Sequence, residues 1–103
     1  MKLWEILIPV RDNEGNAYPE GTREHFLELL LQNVGGYSIG TTYRGAWRDE
    51  SGITQEEYML PVRIALEDDM NIEYWVNHVG YIFKQKAVMY TLLSNHSIIK
   101  HYD

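Results

Sequence analysis

The run from Gly35 to Leu66, GGYSIGTTYRGAWRDESGITQEEYMLPVRIAL, constrains the fold more than any other part of the chain. Two β-rich runs flank the polar segment Arg48-Asp49-Glu50-Ser51-Gly52, and this pattern predicts a hairpin of two long strands. Strand side chains alternate between faces, so Tyr58, Leu60, Val62, Ile64 and Leu66 form a core face opposite Met59, Pro61, Arg63 and Ala65. The same rule groups Tyr37, Ile39, Thr41, Tyr43, Gly45 and Trp47 against Ser38, Gly40, Thr42, Arg44, Ala46 and Arg48. Gly40 and Gly45 mark a bend, a bulge or a close backbone approach, and Pro61, which lacks a ladder donor, belongs on an edge or beside a bulge.

The rest of the chain supplies one strand before a helix and another helix before a last strand. Leu3 to Val10 alternates and has apolar residues on both faces, as a central strand does. Arg11 to Gly21 is rich in Asp, Asn, Gly and Pro, and so forms a long loop that is a candidate site in its own right. Phe26, Leu27, Leu30, Leu31 and Val34 recur at helical spacing, with Thr22 as cap, Glu24 in the first turn and Gly35-Gly36 as stop; a helix is expected over 23–33. Glu67, Asp68 and Asp69 load negative charge at the start of a second helix carrying Ile72, Trp75, Val76, Val79 and Ile82 or Phe83, with Lys84 and Lys86 at its end. Ala87 to Leu93 reads as the last strand, and Ser97 to Tyr102, with Ile98-Ile99, as an extra edge strand or a segment that pairs with another subunit.

The resulting order, βαββαβ, gives an α+β fold: a ferredoxin-like sandwich with a four-stranded antiparallel sheet and both helices on one face. The opposite face is then bare. Tyr37, Tyr43, Trp47, Met59, Leu3, Leu7, Met89 and Leu93 are its expected apolar members, more than a monomer ordinarily exposes. A homodimer through that face, or another protein covering it, is the expected partner. Eight tyrosines in 103 residues fit the same reading, because tyrosine favours interfaces.

A chain of 103 residues that is 45% hydrophobic has material for one core, hence one domain. Nine basic against fifteen acidic residues leave a net charge of -6, which opposes non-specific attraction to nucleic acid or anionic lipid. With no cysteine there is neither a disulfide framework nor a thiolate metal site. The opening MKLWEILIPV is too short and too patterned for a signal peptide, and no run approaches the roughly 18 apolar residues of a membrane span. These features point to a cytosolic protein that enters no membrane.

Chemistry is thinly signalled. Asp12 and Glu14 could act as acid and base or hold a divalent cation, whereas the structural alternative for Asp12 is a turn-forming side chain bonded to local N–H groups. An Asp at the end of the first strand, together with the element order, resembles the CRISPR-associated ferredoxin-like nucleases, which implies a metal-dependent nuclease as one alternative. A DNA-binding dimer of that type should be basic where this chain is acidic. Arg44, Trp47 and Arg48, with Tyr18 from the long loop, form a candidate set for a small anionic or planar ligand. The structural alternative is cross-strand pairing of an arginine with Glu56 or Glu57. His25, His78, His96 and His101 show no metal-binding spacing, and no phosphate-loop, dinucleotide or serine-nucleophile motif is present, so no cofactor is indicated.

Gly45-Ala46-Trp47-Arg48, then Gly52 and an acidic stretch before a β run, and later Phe83-Lys84-Gln85 followed by Ala87-Val88, resemble a family of small uncharacterised bacterial α+β proteins. Its members carry a G-x-W-R hairpin and an F-x-Q-x-S-V-like strand entry. Ala87 stands here where that pattern has Ser. The resemblance spans Gly35 to Tyr90 and implies the fold, with no activity attached. The functional expectation is a small homodimeric binding or interaction module; the alternative is a small enzyme with its acid–base site in the loop after the first strand.

Overall fold

The structure, a computed structural model, describes residues 1–102. Its elements are β1 (Lys2–Pro9), α1 (Thr22–Val34), β2 (Ser38–Ile39), β3 (Tyr43–Arg48), β4 (Thr54–Leu66), α2 (Ile72–Ile82) and β5 (Tyr90–Ser94). All pairings are antiparallel. β5 lies beside β1, β1 beside β4, and β2 and β3 follow one another along the far edge of β4. This is the ferredoxin-like arrangement with β1 in the interior, and the expected second strand is broken into β2 and β3.

The break is a bulge. Ile39 pairs with Val62 and Tyr43 with Met59, so four steps along one strand match three along the other. One extra residue reverses the phase of alternation. Pro61 sits in interior strand β4, not on an edge, but its carbonyl accepts from Gly40 N at 3.0 Å, so its donor-less nitrogen faces the interruption. The bulge removes the need for the missing N–H. Gly40 is required by the same contact, because a Cβ there would lie 2.9 Å from Pro61 Cγ.

Both helices cover one face. α1 buries Phe26, Leu27 and Leu30, and α2 buries Ile72, Trp75 and Val79, with Phe83 just past its end. They close over Ile6, Ile8, Leu60, Val62, Ile64 and Leu66, so burial of apolar side chains holds the layers together. Both N-termini differ from expectation, the first in its cap and the second in where it starts. Gly21, at φ 86°, precedes α1, and the Thr22 hydroxyl donates to Pro19 O at 2.7 Å instead of capping. α2 starts after the acidic run, where the Asn71 side chain accepts from Glu73 N at 2.9 Å and so satisfies an orphan donor.

β5 begins at Tyr90, three residues later than expected, although Leu7 N already donates to Met89 O at 3.0 Å. Ser97–Tyr102 adds no strand to this sheet; Ser97 N donates to Met1 O at 2.8 Å, which fixes the segment beside the start of β1. No helix among the described residues is long and apolar enough to cross a membrane.

β4 outruns its neighbours. Beyond Pro9, where β1 stops, β3 and the first residues of β4 continue as a two-stranded arm exposed on both faces. Tyr58, expected in the core, is 51% exposed because the helices do not extend over it. The arm stretches the molecule to 54 Å against 29 and 23 Å in the other directions.

Gly40→Ala should cost about 1–3 kcal/mol by forcing the Pro61 ring aside. Each kcal/mol lowers the melting temperature by roughly 4–8 °C in a domain of this size. Gly36→Ala is the control, since a Cβ there meets nothing within 4 Å. Equal melting temperatures for the two variants would remove the bulge contact from the explanation.

Candidate binding cleft and open sheet face

The loop after β1 is a miniature hairpin. Asp12 Oδ1 accepts from Glu14 N at 2.9 Å and Asn16 N at 2.8 Å, Asp12 N donates to Asn16 O at 2.8 Å, and Gly15 turns at φ 84°. Asp12 therefore builds the turn that its residue type favours. Glu14 is exposed beside it. Among the described residues no group of three or more His, Asp or Glu side chains is placed to hold a metal ion.

Tyr18 ties this loop to the body. Its hydroxyl donates to Phe83 O at 2.9 Å while its ring meets Phe83 edge-on, centroids 5.2 Å apart. Burial raises the phenol's pKa, so Tyr18 stays a protonated donor at neutral pH. Lys84, at φ 52°, turns the chain so that Gln85 Nε2 reaches the Tyr18 hydroxyl at 3.1 Å and Asn13 Oδ1 at 3.3 Å. The loop, the end of α2 and the entry to β5 are thereby one rigid wall.

A cleft of about 610 Å³ separates this wall from the arm, between Arg11, Asn13 and Gln85 on one side and Trp47, Glu57 and Met59 on the other. It continues into a recess lined by Lys86, Val88 and Met89. Its floor is a free strand edge. Val10 N donates to Tyr58 O at 3.1 Å, and strand alternation turns the N–H and C=O of Glu56 to the same edge, past the end of β1.

The structure divides the residues that looked like one ligand set. Trp47, 51% exposed, faces the cleft, whereas Arg44 and Arg48 lie on the other face of the arm. Arg44 Nη2 donates to Glu56 Oε1 at 2.6 Å, and this hydrogen bond raises the arginine's pKa. Arg44 is thus a cross-strand structural partner. Tyr18 holds the loop and touches the cleft only through Gln85.

The sheet face away from the helices carries Leu3, Leu7, Met59, Tyr43, Trp47 and Met89, as the alternation of each strand requires, and Leu93 joins them as the extra residue where β5 bulges opposite Leu3. Tyr37 is a correction. The bulge puts it on the helix side, where it packs against the core. At the centre of the open face Arg63 Nε donates to Glu5 Oε2 at 3.0 Å, with the Glu5 side chain 11% exposed and Arg63 49%. The bond to Glu5, foremost, raises the pKa of Arg63.

Glu5, Gln85 and Asn13 escaped sequence reasoning. A lone acid in an otherwise apolar strand, opposite an arginine in the hairpin, was the available signal for Glu5. Gln85 and Asn13 carried none, because their roles depend on a loop and a helix end meeting in space.

The arm's tip is held by Asp49, whose Oδ1 accepts from Ser51 N, Ser51 Oγ and Ile53 N, and whose Oδ2 accepts from Gln55 Nε2. The Ser51 hydroxyl, followed by Gln55 and the Ile53 N–H, lowers its pKa to about 2.

No family model matches the chain, and no curated protein matches it. Solved structures do share its fold. A phage SAM lyase in complex with S-methyl-5'-thioadenosine is 13% identical, with TM-score 0.66, over 90% of this chain and 80% of that one. A point mutant of CutA1 from Pyrococcus horikoshii OT3 is 10% identical, with TM-score 0.66, over 97% of this chain and 88% of that one. At such identities the likeness establishes the α+β fold alone.

Two outcomes follow for the arm tip and the wall. A carboxyl whose folded pKa is depressed stabilises the fold above its unfolded value, near about 4, and loses that contribution as pH falls through about 2. The Asp49 carboxyl resonance should therefore titrate with a midpoint near 2, and a midpoint near about 4, the ordinary value, would show that the turn bonds do not persist in solution. Tyr18→Phe should cost about 1–3 kcal/mol in thermal unfolding and shift the Gln85 side-chain amide resonances, since the hydroxyl's two half-buried hydrogen bonds, to Phe83 O and from Gln85 Nε2, are lost. An unshifted Gln85 amide would detach the loop from the wall.

Proposed function

We propose that this protein is a small cytoplasmic homodimeric interaction module, in which a second copy covers the open sheet face and the arm. The arm carries this reading. A two-stranded hairpin is at best marginally stable alone in water. This one nevertheless holds Tyr43, Trp47, Tyr58 and Ile53 at 43%, 51%, 51% and 59% exposure. Aromatic side chains on a projecting ribbon with free edges are the chemistry of an interface core.

The rest of the open face supports the same partner. Leu3, Leu7, Met89 and Leu93 form an apolar surround for the Glu5–Arg63 pair. Covering an ionised group is costly unless it already has a partner, and Arg63 has one. The pair can therefore be enclosed intact and can fix the register of two copies.

The acid–base alternative lacks comparable support, because Asp12 Oδ1 is already engaged by two backbone donors.

Sedimentation velocity at micromolar to tens of micromolar concentration is expected to show a concentration-dependent dimer. Leu93→Glu, on the open face at an edge strand, should yield a folded monomer whose melting temperature in dilute solution matches that of the parent. A wild-type protein that remains a monomer throughout that range would contradict the proposal.

A further inference from the structure

Two unpartnered features stand at opposite ends of the molecule. One is the cleft beside the arm. The other is Ser97–Tyr102, where Ile98 is 75% exposed, Ile99 58% and Tyr102 81%. The segment belongs to no helix or strand, is β-branched at two successive positions and is basic at Lys100. The cleft has the complementary properties: a free strand edge at Glu56, the apolar surfaces of Trp47 and Met59, and the carboxylates of Asp12 and Glu57.

They cannot meet within one chain. Ser97 is fixed to Met1 O, next to the Lys2–Leu66 end of the sheet. Glu57 is nine residues along β4 from Leu66, a distance of about 30 Å at roughly 3.3 Å per residue. Ile98 and Ile99 lie only one and two residues past the anchor, within about 7 Å of it.

We infer that Ser97–Tyr102 of one copy docks as an added strand in the arm cleft of a second copy. Its backbone pairs with the free edge at Glu56, Ile98 lies against Trp47 and Met59 with Lys100 on the same face meeting Glu57 and Asp12, and Ile99 turns to the opposite face, beside Tyr58. This is strand addition to an exposed edge, in which main-chain bonds supply affinity and side-chain pockets supply specificity. The charges match: the segment brings a cation to a cleft whose Glu57 has no ion-pair partner among the described residues.

The geometry also selects an assembly. Midway between the Leu66 level and the Glu57 level lie Pro61 and Val62, paired with Leu7 and Ile6. A two-fold axis on the open face at Leu7, next to the Glu5–Arg63 pair, places each copy's Ser97–Tyr102 beside the other's arm. Both contacts then form at once, and the interface is closed and self-complementary. The inference rests on self-association and adds which segment fills the cleft.

The double variant Ile98→Asp/Ile99→Asp tests it in the full chain. It should weaken the dimer at least tenfold in sedimentation without lowering the melting temperature of the monomer, because neither residue is buried. A synthetic peptide of residues 97–102, added to that variant, should shift the Trp47 indole N–H resonance saturably, and a peptide with both isoleucines changed to Asp should not. A double variant that dimerises as tightly as the parent, or a peptide that leaves Trp47 unmoved, overturns the docking and leaves self-association standing. A wild-type monomer overturns both.

Discussion

β4 is longer than the helical layer that shelters it, and most of the molecule's behaviour follows from that mismatch. Thirteen residues of strand reach about 43 Å at roughly 3.3 Å each, whereas the thirteen residues of α1 reach about 20 Å at 1.5 Å each; both lengths come from the element boundaries. The sheltered half of β4 carries Leu60, Val62, Ile64 and Leu66 into the core. The other half carries Tyr58 and its neighbours into solvent. One strand thus serves as the spine of the core and as the rail of an exposed arm.

The bulge opposite Pro61 lies where β4 passes from one role to the other. Without the extra residue between Ile39 and Tyr43, the aromatic row of β3 would fall on the helix side, and Trp47 would turn away from the cleft. With it, Trp47, Tyr43 and Met59 join the open face and Tyr37 joins the core. A backbone irregularity of one residue therefore decides which aromatic side chains seal the protein and which meet a partner.

The fold was legible in the sequence because its signals are periodic. Strand alternation in β1 and β4, helical spacing from Phe26 to Val34 and from Ile72 to Val79, and the polar hairpin tip each reported their own element, and together they allowed one topology. What escaped was non-periodic. Counting by twos through Gly40 carried Tyr37 to the wrong face, because a bulge leaves no mark in composition beyond a glycine. The long Asp- and Asn-rich loop was visible, but its wall was not: Gln85 lies 67 residues from Tyr18 and 72 from Asn13, and they meet only because α2 ends beside the loop. Arg44, Trp47 and Arg48 looked like one cluster in a linear string, and the two faces of a strand divide them.

Protection of the arm's backbone amides tests most directly whether the uncovered half of β4 is an interface. Hydrogen exchange at Tyr43–Arg48 and Thr54–Tyr58 would be followed at protein concentrations from sub-micromolar to hundreds of micromolar. Coverage by a second copy predicts fast exchange in the arm at the lowest concentration and slow exchange at the highest, while β1 and the sheltered half of β4 stay protected throughout. Arm amides that exchange at one rate at every concentration would contradict it.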